Sequence, residues 1–479
     1  MNWPIQPRAG IHLRMSTQHI EAWLQDGLAY VEHWLAFQMR MAEQPGGAVA
    51  VEHGGRLVFE AAFGLANQIT QEPLTSRHLF RVASHSKAFT AAAIMVLFEQ
   101  GKLRLDDPIG RHVDQLRPDL GSATVAQLMT HSAGLTANAD VQNYWNDVMP
   151  WPDAAELRRQ LGLPSIMEPG EQHKYSNVGY GLLGLLIEAV TSQDYVSWMA
   201  ENLIPRAGLT ETFPDYHATI RNPFASGHSA KQPIGRLVIP GTNQTRALAP
   251  ATGFVSTPRD LVRFFSQLAP EAAHSFLSVR SRKEITRRHW RETPSSGENY
   301  YGFGIASGAL EDNDYFGHRG SFQGYQSRTC VIPNLDLAVS VITNAIDGAA
   351  ADWSSSIVHI LKHFAAAGAT ADPLRSWQGR WWNIWATVDL IPLGNTIIYT
   401  SSDSPTPFAE PEEIEPLTLT TGRFKRSEAH ALFGETVERT LDEHGDCIAI
   451  HVGGDEFLTE AAHIERLTTT YGPGKNPPG

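Results

Sequence analysis

The chain has 479 residues, 42% of them hydrophobic and 19% charged, with a formal net charge of -13. That balance excludes a disordered, collagen-like or coiled-coil chain. It also makes a polyanion a poor partner, because nucleic-acid binding draws its affinity from clustered Lys and Arg.

One hydrophobic core stops growing near ~250–300 residues, so two or three structural units are expected. Two cysteines, Cys330 and Cys447, are too few for a disulfide framework and lack zinc-site spacing, which points to a reducing compartment. The first thirty positions carry no apolar run of signal-peptide length. No stretch reaches the ~20 apolar residues of a membrane span. The expected location is the cytoplasm, with neither membrane nor nucleic acid as partner.

Residues 17 to 42 carry Ile20, Trp23, Leu24, Leu28, Val31, Trp34, Leu35 and Met39 at three- and four-residue steps, a helical stripe. "GAVAVEH", Gly54-Gly55 and "RLVFEAAFG" then predict a β-hairpin with a tight turn. An Ala- and Leu-rich helix follows Ser86 and ends near Gly101, and Asp-Asp-Pro marks a break after it. From about 106 to 249 the pattern is mostly helical, including "GYGLLGLLIEAVTSQ". Strands return in "YYGFGIAS", "DYFGHRG", "YQSRTCVIP" and "LAVSVITN", before a helix over 351–366. The expected architecture is α+β: an antiparallel sheet built from both ends of residues 1–367, with helices against it and a helical insertion between. Beyond the linker "AAAGATADP", residues 373–470 read as a separate all-β domain, a small barrel, and 471–479 as a disordered tail.

Three short motifs carry the chemistry. In "SHSK", Ser84 and Lys87 stand three apart where a helix begins, so they share one face. A lysine desolvated by the apolar run after it can take the serine's proton, and a helix N-terminus favours developing anionic oxygen. In "EPGEQHKYSNVGYGLLG", Tyr175 and Asn177 stand two apart before an apolar helix. A phenol beside a cationic lysine has its ionised form favoured, which suits proton relay, and Asn177 offers a donor and an acceptor. In "FGHRGSFQGY", His318 and Gly320 lie on a strand where glycine lets backbone approach a ligand, and the N–H of Ser321 can donate to an oxyanion.

S-x-x-K, then Y-x-N about ninety positions later, then H-x-G in a late strand: in this order the chain resembles the penicillin-recognising serine hydrolases. The Y-x-N form is similar to the class C β-lactamase and DD-peptidase branch, which also contains esterases, D-aminopeptidases and acyltransferases. "LRLDDPI", "LMTHSAGL", "PATGFVSTPRDL", "YYGFGIA" and "VITN" extend the resemblance over about residues 40 to 365.

The resemblance implies Ser84 as acylated nucleophile, Lys87 as its proton partner and Tyr175 as the group assisting proton transfer. It implies that Asn177 holds the substrate amide or Lys87, that His318 replaces the lysine of K-T-G, and that the N–H groups of Ser84 and Ser321 form the oxyanion hole. Arg319, with Gly320, falls on the substrate-binding side; it is bulky and cationic where small residues are usual, and either meets a substrate carboxylate or points outward. The 373–470 domain resembles the lipocalin-like barrel of some relatives, its Trp377, Trp381, Trp382 and Trp385 packing its core rather than holding a ligand.

A metal hydrolase lacks support, since H-E-x-x-H is absent and His85, His131, His173 and His318 have no ligand-like spacing. G-x-S-x-G is also absent, and "GFGIASG" lacks the context of a dinucleotide fingerprint. The expectation is a serine hydrolase cleaving an amide or short peptide, or an ester, without metal or cofactor. The alternatives are a carboxylesterase or acyltransferase, and an inactive scaffold. A homo-oligomer is left open.

Overall fold

The computed structural model describes residues 20–138, 140, 143–293, 298–427 and 432–473. Residues 1–19, most of the segment read for a signal, and 474–479, most of the expected tail, lie outside the described residues.

By compactness one unit holds Glu43–Ser354, and the other joins the first helix to the chain after Ser354. The boundary therefore differs from a single division at 367.

The first unit is organised by a sheet that is nine-stranded among the described residues. The early chain gives β1 (Gly46–His53), β2 (Arg56–Asn67) and β3 (Glu72–Pro73). The late chain gives β4 (Trp290–Arg291), β5 (Tyr300–Tyr301), β6 (Ala306–Leu310), β7 (Asn313–Phe322), β8 (Tyr325–Ile332) and β9 (Leu337–Thr343). The order is β3-β2-β1-β9-β8-β7-β6-β5-β4, and β1 pairs antiparallel with β9, Val49 opposite Val341. Both ends of the unit thus build one sheet, as the sequence predicts. The hairpin joining β1 to β2 turns at Gly54 and Gly55, both at positive φ (59° and 69°), a conformation that favours glycine and matches the strand twist.

Helix α1 (Ala22–Met41) belongs to the second unit. Helix α2 (Ser86–Glu99) is buried from Ser86 through Leu97, so its apolar residues run all round it and form the centre of the core. Helix α3 (Asn177–Thr191) packs on the segment Ala249–Thr252, and α4 (Pro258–Ser266) packs on β1, β8 and β9. Short helices and loops fill most of the expected insertion. One strand pair, Gly227–His228 with Val238–Ile239, interrupts it.

In the second unit eight strands close into a barrel: β10 (Gly379–Trp382), β11 (Thr387–Leu393), β12 (Thr396–Ser401), β13 (Glu412–Pro416), β14 (Thr421–Arg426), β15 (Thr436–Leu441), β16 (Cys447–Val452) and β17 (Asp455–Leu458). Pairing of Trp382 with Leu458 joins the last strand to the first, which removes both free edges. Trp377 and Trp381 fill the interior with Leu390, Ile397, Phe424 and Ile450, whereas Trp382 is half-buried and Trp385 is 85% exposed. Two of the four expected core tryptophans therefore pack inside.

Helix α5 (Ala350–Ala367) spans the unit boundary, and α6 (Glu460–Tyr471) follows the barrel. Helix α6 has no buried residue and so no apolar stripe to announce it, which is why only strands are expected there.

A buried ion pair anchors this unit. Asp389 accepts hydrogen bonds from Arg380 Nε (2.7 Å) and Nη2 (2.8 Å), the Ser402 hydroxyl (2.7 Å) and the Tyr30 hydroxyl of α1 (3.0 Å).

Candidate active site

Ala83–His85 form one 3-10 turn that leads into α2. Ala83 has φ 49°, a left-handed conformation that costs a non-glycine residue free energy and that the surroundings must hold. They do so through Ser86, whose hydroxyl donates to Ala83 O (2.5 Å) and accepts the N–H of Phe254 (3.0 Å). Ser84 is presented on this constrained turn.

Lys87 Nζ lies 3.2 Å from Ser84 Oγ and donates to Ala251 O at 2.8 Å. The side chain is fully buried, and desolvation holds its pKa well below the ordinary 10.5, which favours the neutral amine. The Tyr175 ring centroid stands 4.7 Å from Nζ and that of Tyr180 5.6 Å, so π-faces receive the charge once the amine is protonated.

The Tyr175 hydroxyl donates to Ser84 Oγ at 2.9 Å. Burial raises its pKa, so this phenol stays protonated. Here the expectation of a favoured phenolate is corrected: it weighed a cationic lysine beside the ring, whereas burial of the phenol itself dominates and raises its pKa.

Asn177 is the first residue of α3, while Ser176 caps the helix by accepting the N–H of Gly179 (2.9 Å). The Asn177 amide donates to Asn138 Oδ1 (2.7 Å) rather than contacting Lys87, and its own Oδ1 is buried without a partner among the described residues. Such an acceptor costs free energy until a donor arrives.

His318 is buried, and burial lowers its pKa well below 6.5, so the ring is neutral. Nδ1 donates to Arg319 O (2.6 Å), which leaves Nε2 to accept from the Tyr301 hydroxyl (3.0 Å). The ring therefore does not supply the positive charge of a K-T-G lysine. Arg319 points outward, 60% exposed, with Nη2 4.0 Å from Glu292.

A Cβ added at Gly320 would stand 2.2 Å from Val82 O and 2.7 Å from Ser327 Oγ. Glycine is what lets β7 run against the turn that carries Ser84. Pairing of β6 with β7 ends at Ala306 and Gly317, so residues 318–322 offer an open strand edge beside Ser84. Ser321 lies on that edge. Replacing Gly320 by alanine is expected to displace the strand and lower kcat about 10²-fold, the scale of one lost oxyanion donor. Steady-state kinetics together with a thermal melt separate this from unfolding.

Sequence reasoning missed Tyr301, His131 and the Ala251 carbonyl as parts of the site. His131 accepts the N–H of Ser176 at 3.0 Å, and its ring lies 4.2 Å from that of Tyr175 and 4.8 Å from that of Tyr301, centroid to centroid. The stretches "LMTHSAGL" and "YYGFGIA" held the signal for two of them. The third is a backbone group, which no side-chain pattern reveals. Among the described residues no group of three or more His, Cys, Asp or Glu is placed to hold a metal ion, and no helix is long and apolar enough to cross a membrane.

The first unit is an antiparallel sheet with helices packed against it, and within it Ser84, Lys87 and Tyr175 meet at hydrogen-bonding distance. A protein-family model described as Beta-lactamase matches residues 31–354, and the chain belongs to that family. Penicillin-binding protein 4* of Bacillus subtilis (strain 168) is 31% identical over 179 residues, 35% of this chain and 37% of that relative's length. The octameric penicillin-binding protein homologue from Pyrococcus abyssi superposes with a TM-score of 0.62 at 20% identity, covering 90% of this chain and 98% of that one. The D-amino acid amidase from Ochrobactrum anthropi SV3, complexed with L-phenylalanine amide, gives 0.58 at 22% identity over 72% and 97%. These two likenesses are of fold.

Proposed function

We propose that this protein hydrolyses an amide or short peptide through an acyl-Ser84 intermediate. The observation that carries the reading is the position of Ser84 Oγ, 3.2 Å from Lys87 Nζ and 2.9 Å from the Tyr175 hydroxyl. Neutral Lys87 takes the serine proton as Oγ attacks the carbonyl carbon. The N–H groups of Ser84 and Ser321 receive the developing oxyanion. The neutral Tyr175 phenol hands a proton to the departing amine and is reprotonated from Lys87, and in deacylation the same groups run the transfer in reverse with water as nucleophile. Asn177 Oδ1 awaits an N–H of the substrate.

The likeness to a D-amino acid amidase supports amide over ester. An ester or an alternative acyl acceptor uses the same intermediate, so carboxylesterase or acyltransferase is the second reading. Self-association joins the proposal because the archaeal homologue is octameric, and light scattering reads it.

The test is intact mass after brief exposure to a fluorophosphonate, with turnover of p-nitrophenyl esters and of D- and L-aminoacyl p-nitroanilides, for wild type and Ser84→Ala. One adduct mapped to Ser84, and turnover lost in the variant, is the expected result. Absence of both adduct and turnover overturns the reading in favour of an inactive binding protein.

A further inference from the structure

His85 stands between the nucleophile and the helix that carries Lys87, and the chemistry described so far does not use it. Its side chain is fully buried, as are those of Thr329 on β8 and Ser340 on β9, which face each other in the strand register. Each has a polar partner. His85 Nδ1 lies 3.0 Å from Val82 O, and a carbonyl only accepts, so Nδ1 carries the proton. Burial lowers the pKa of the ring to about 3, which keeps it neutral, so Nε2 is an acceptor and takes the Thr329 hydroxyl at 3.0 Å. Thr329 Oγ1 in turn accepts from the Ser340 hydroxyl at 2.9 Å. The bonds all point one way, from β9 through β8 and the imidazole to the carbonyl of Val82.

That carbonyl belongs to the turn of Ser84. The backbone N–H of His85 also donates to Val82 O, at 3.2 Å, so one residue closes the turn twice, by main chain and by side chain. Enclosed by the two bonds are Ala83, at its left-handed φ of 49°, and Ser84. Strained backbone persists only where its surroundings over-determine it. Ser327 on β8 adds a hydroxyl 3.4 Å from the same oxygen, and Gly320 of β7 runs against it. An apolar side chain would fill this space as well. A satisfied chain of buried hydrogen bonds fixes direction in addition to volume.

We propose that His85 is a positioning residue, which ties the turn of Ser84 to β8 and so holds the Ser84 hydroxyl and N–H where acylation needs them. The inference rests on the acyl-Ser84 reading and extends it to a residue that acts through the turn and not on the substrate.

The test uses the full chain, with active sites counted by fluorophosphonate titration. Two quantities are read on the titrated enzyme: kcat/KM for p-nitrophenyl acetate, which reports acylation, and the Kd of phenylboronic acid, which adds to the serine oxygen as a tetrahedral anion. Asparagine places its amide where Nδ1 stands, and glutamine places it where Nε2 stands. His85→Gln, which gives up the bond to Val82 O, is expected to lower kcat/KM about 10²-fold and to weaken the boronate in step, the scale of a misplacement of about 1 Å. His85→Asn keeps that bond and should restore most of both. Thr329→Val removes the donor to Nε2 and should lower both by about tenfold, while Thr329→Ser restores them.

A histidine that only fills the core would change the number of titratable sites and the melting temperature, and leave both quantities untouched in the molecules that stay folded. If His85→Gln does not fold, the Thr329 pair decides. Thr329→Val equal to wild type in both quantities, or His85→Asn falling as far as His85→Gln, overturns the proposal while leaving the hydrolase standing. A wild type that takes no fluorophosphonate on Ser84 overturns the acyl-Ser84 reading and this inference with it.

Discussion

Lys87→Met is expected to lower kcat by about 10³–10⁴-fold, the scale of a lost general base, with little change in melting temperature. The two readouts part because Lys87 is fully buried and favours the neutral amine. Methionine has similar length and fills the same space. The folded state then loses one hydrogen bond to Ala251 O, a cost of about 1 kcal/mol, which relief from burying an amine offsets in part. A purely structural lysine would behave in the opposite way, lowering the melting temperature and sparing the activity of molecules that remain folded.

The pH profile gives the same argument a sign. Only the neutral amine accepts the serine proton, so kcat/KM falls as pH drops through the pKa of Lys87. Desolvation moves that fall well below 10.5, and activity stays level above it. Tyr175, its pKa raised by burial, adds no loss on the alkaline side near neutrality. Residual turnover by Lys87→Met should lack the acid limb. An acid limb preserved in the variant would assign that titration to another group.

Asp389→Ala is expected to destabilise the barrel unit by about 3–5 kcal/mol, the range for breaking a buried pair by removing one partner. Asp389 is 1% exposed and Arg380 8%, so the guanidinium would remain as an uncompensated cation. Two hydroxyls, those of Ser402 and Tyr30, lose their acceptor at the same time. Hydrogen exchange followed by mass spectrometry, segment by segment, should show faster opening in β10 to β12. The double replacement Arg380→Met with Asp389→Leu should recover most of the loss, because an apolar pair of similar volume carries no desolvation cost. Equal instability in the double and single variants would show that shape rather than charge matters there.

The parts of this molecule that sequence reveals are those where one residue type answers one local demand. Gly54-Gly55 announced the hairpin, short runs bounded by Gly, Pro and Asn announced β8 and β9, and Ser84, Lys87 and Tyr175 meet at hydrogen-bonding distance. What stayed hidden depends on the environment. The protonation of Tyr175 follows from the burial of its own phenol, a tertiary fact. The Nε2 of His318 is occupied by Tyr301, which is seventeen residues away in sequence. Helix α6 lacks a buried face, and the assignment of α1 to the barrel unit rests on contacts such as Tyr30 with Asp389.

The open edge at 318–322 carries a consequence for handedness. An extended acyl chain laid along it continues the pleat, in which successive substituents project alternately to one face of the sheet and the other. Inverting a stereocentre next to the scissile carbonyl moves its substituent from one face to the other while the backbone hydrogen bonds stay in place. One of those faces looks toward the turn of Ser84, where the approach of Gly320 to Val82 O leaves no space for a Cβ, and the other looks outward, where Arg319 is exposed. The rate ratio between D and L antipodes of one substrate is thus a direct measure of how unequal the room is on the two sides of this strand.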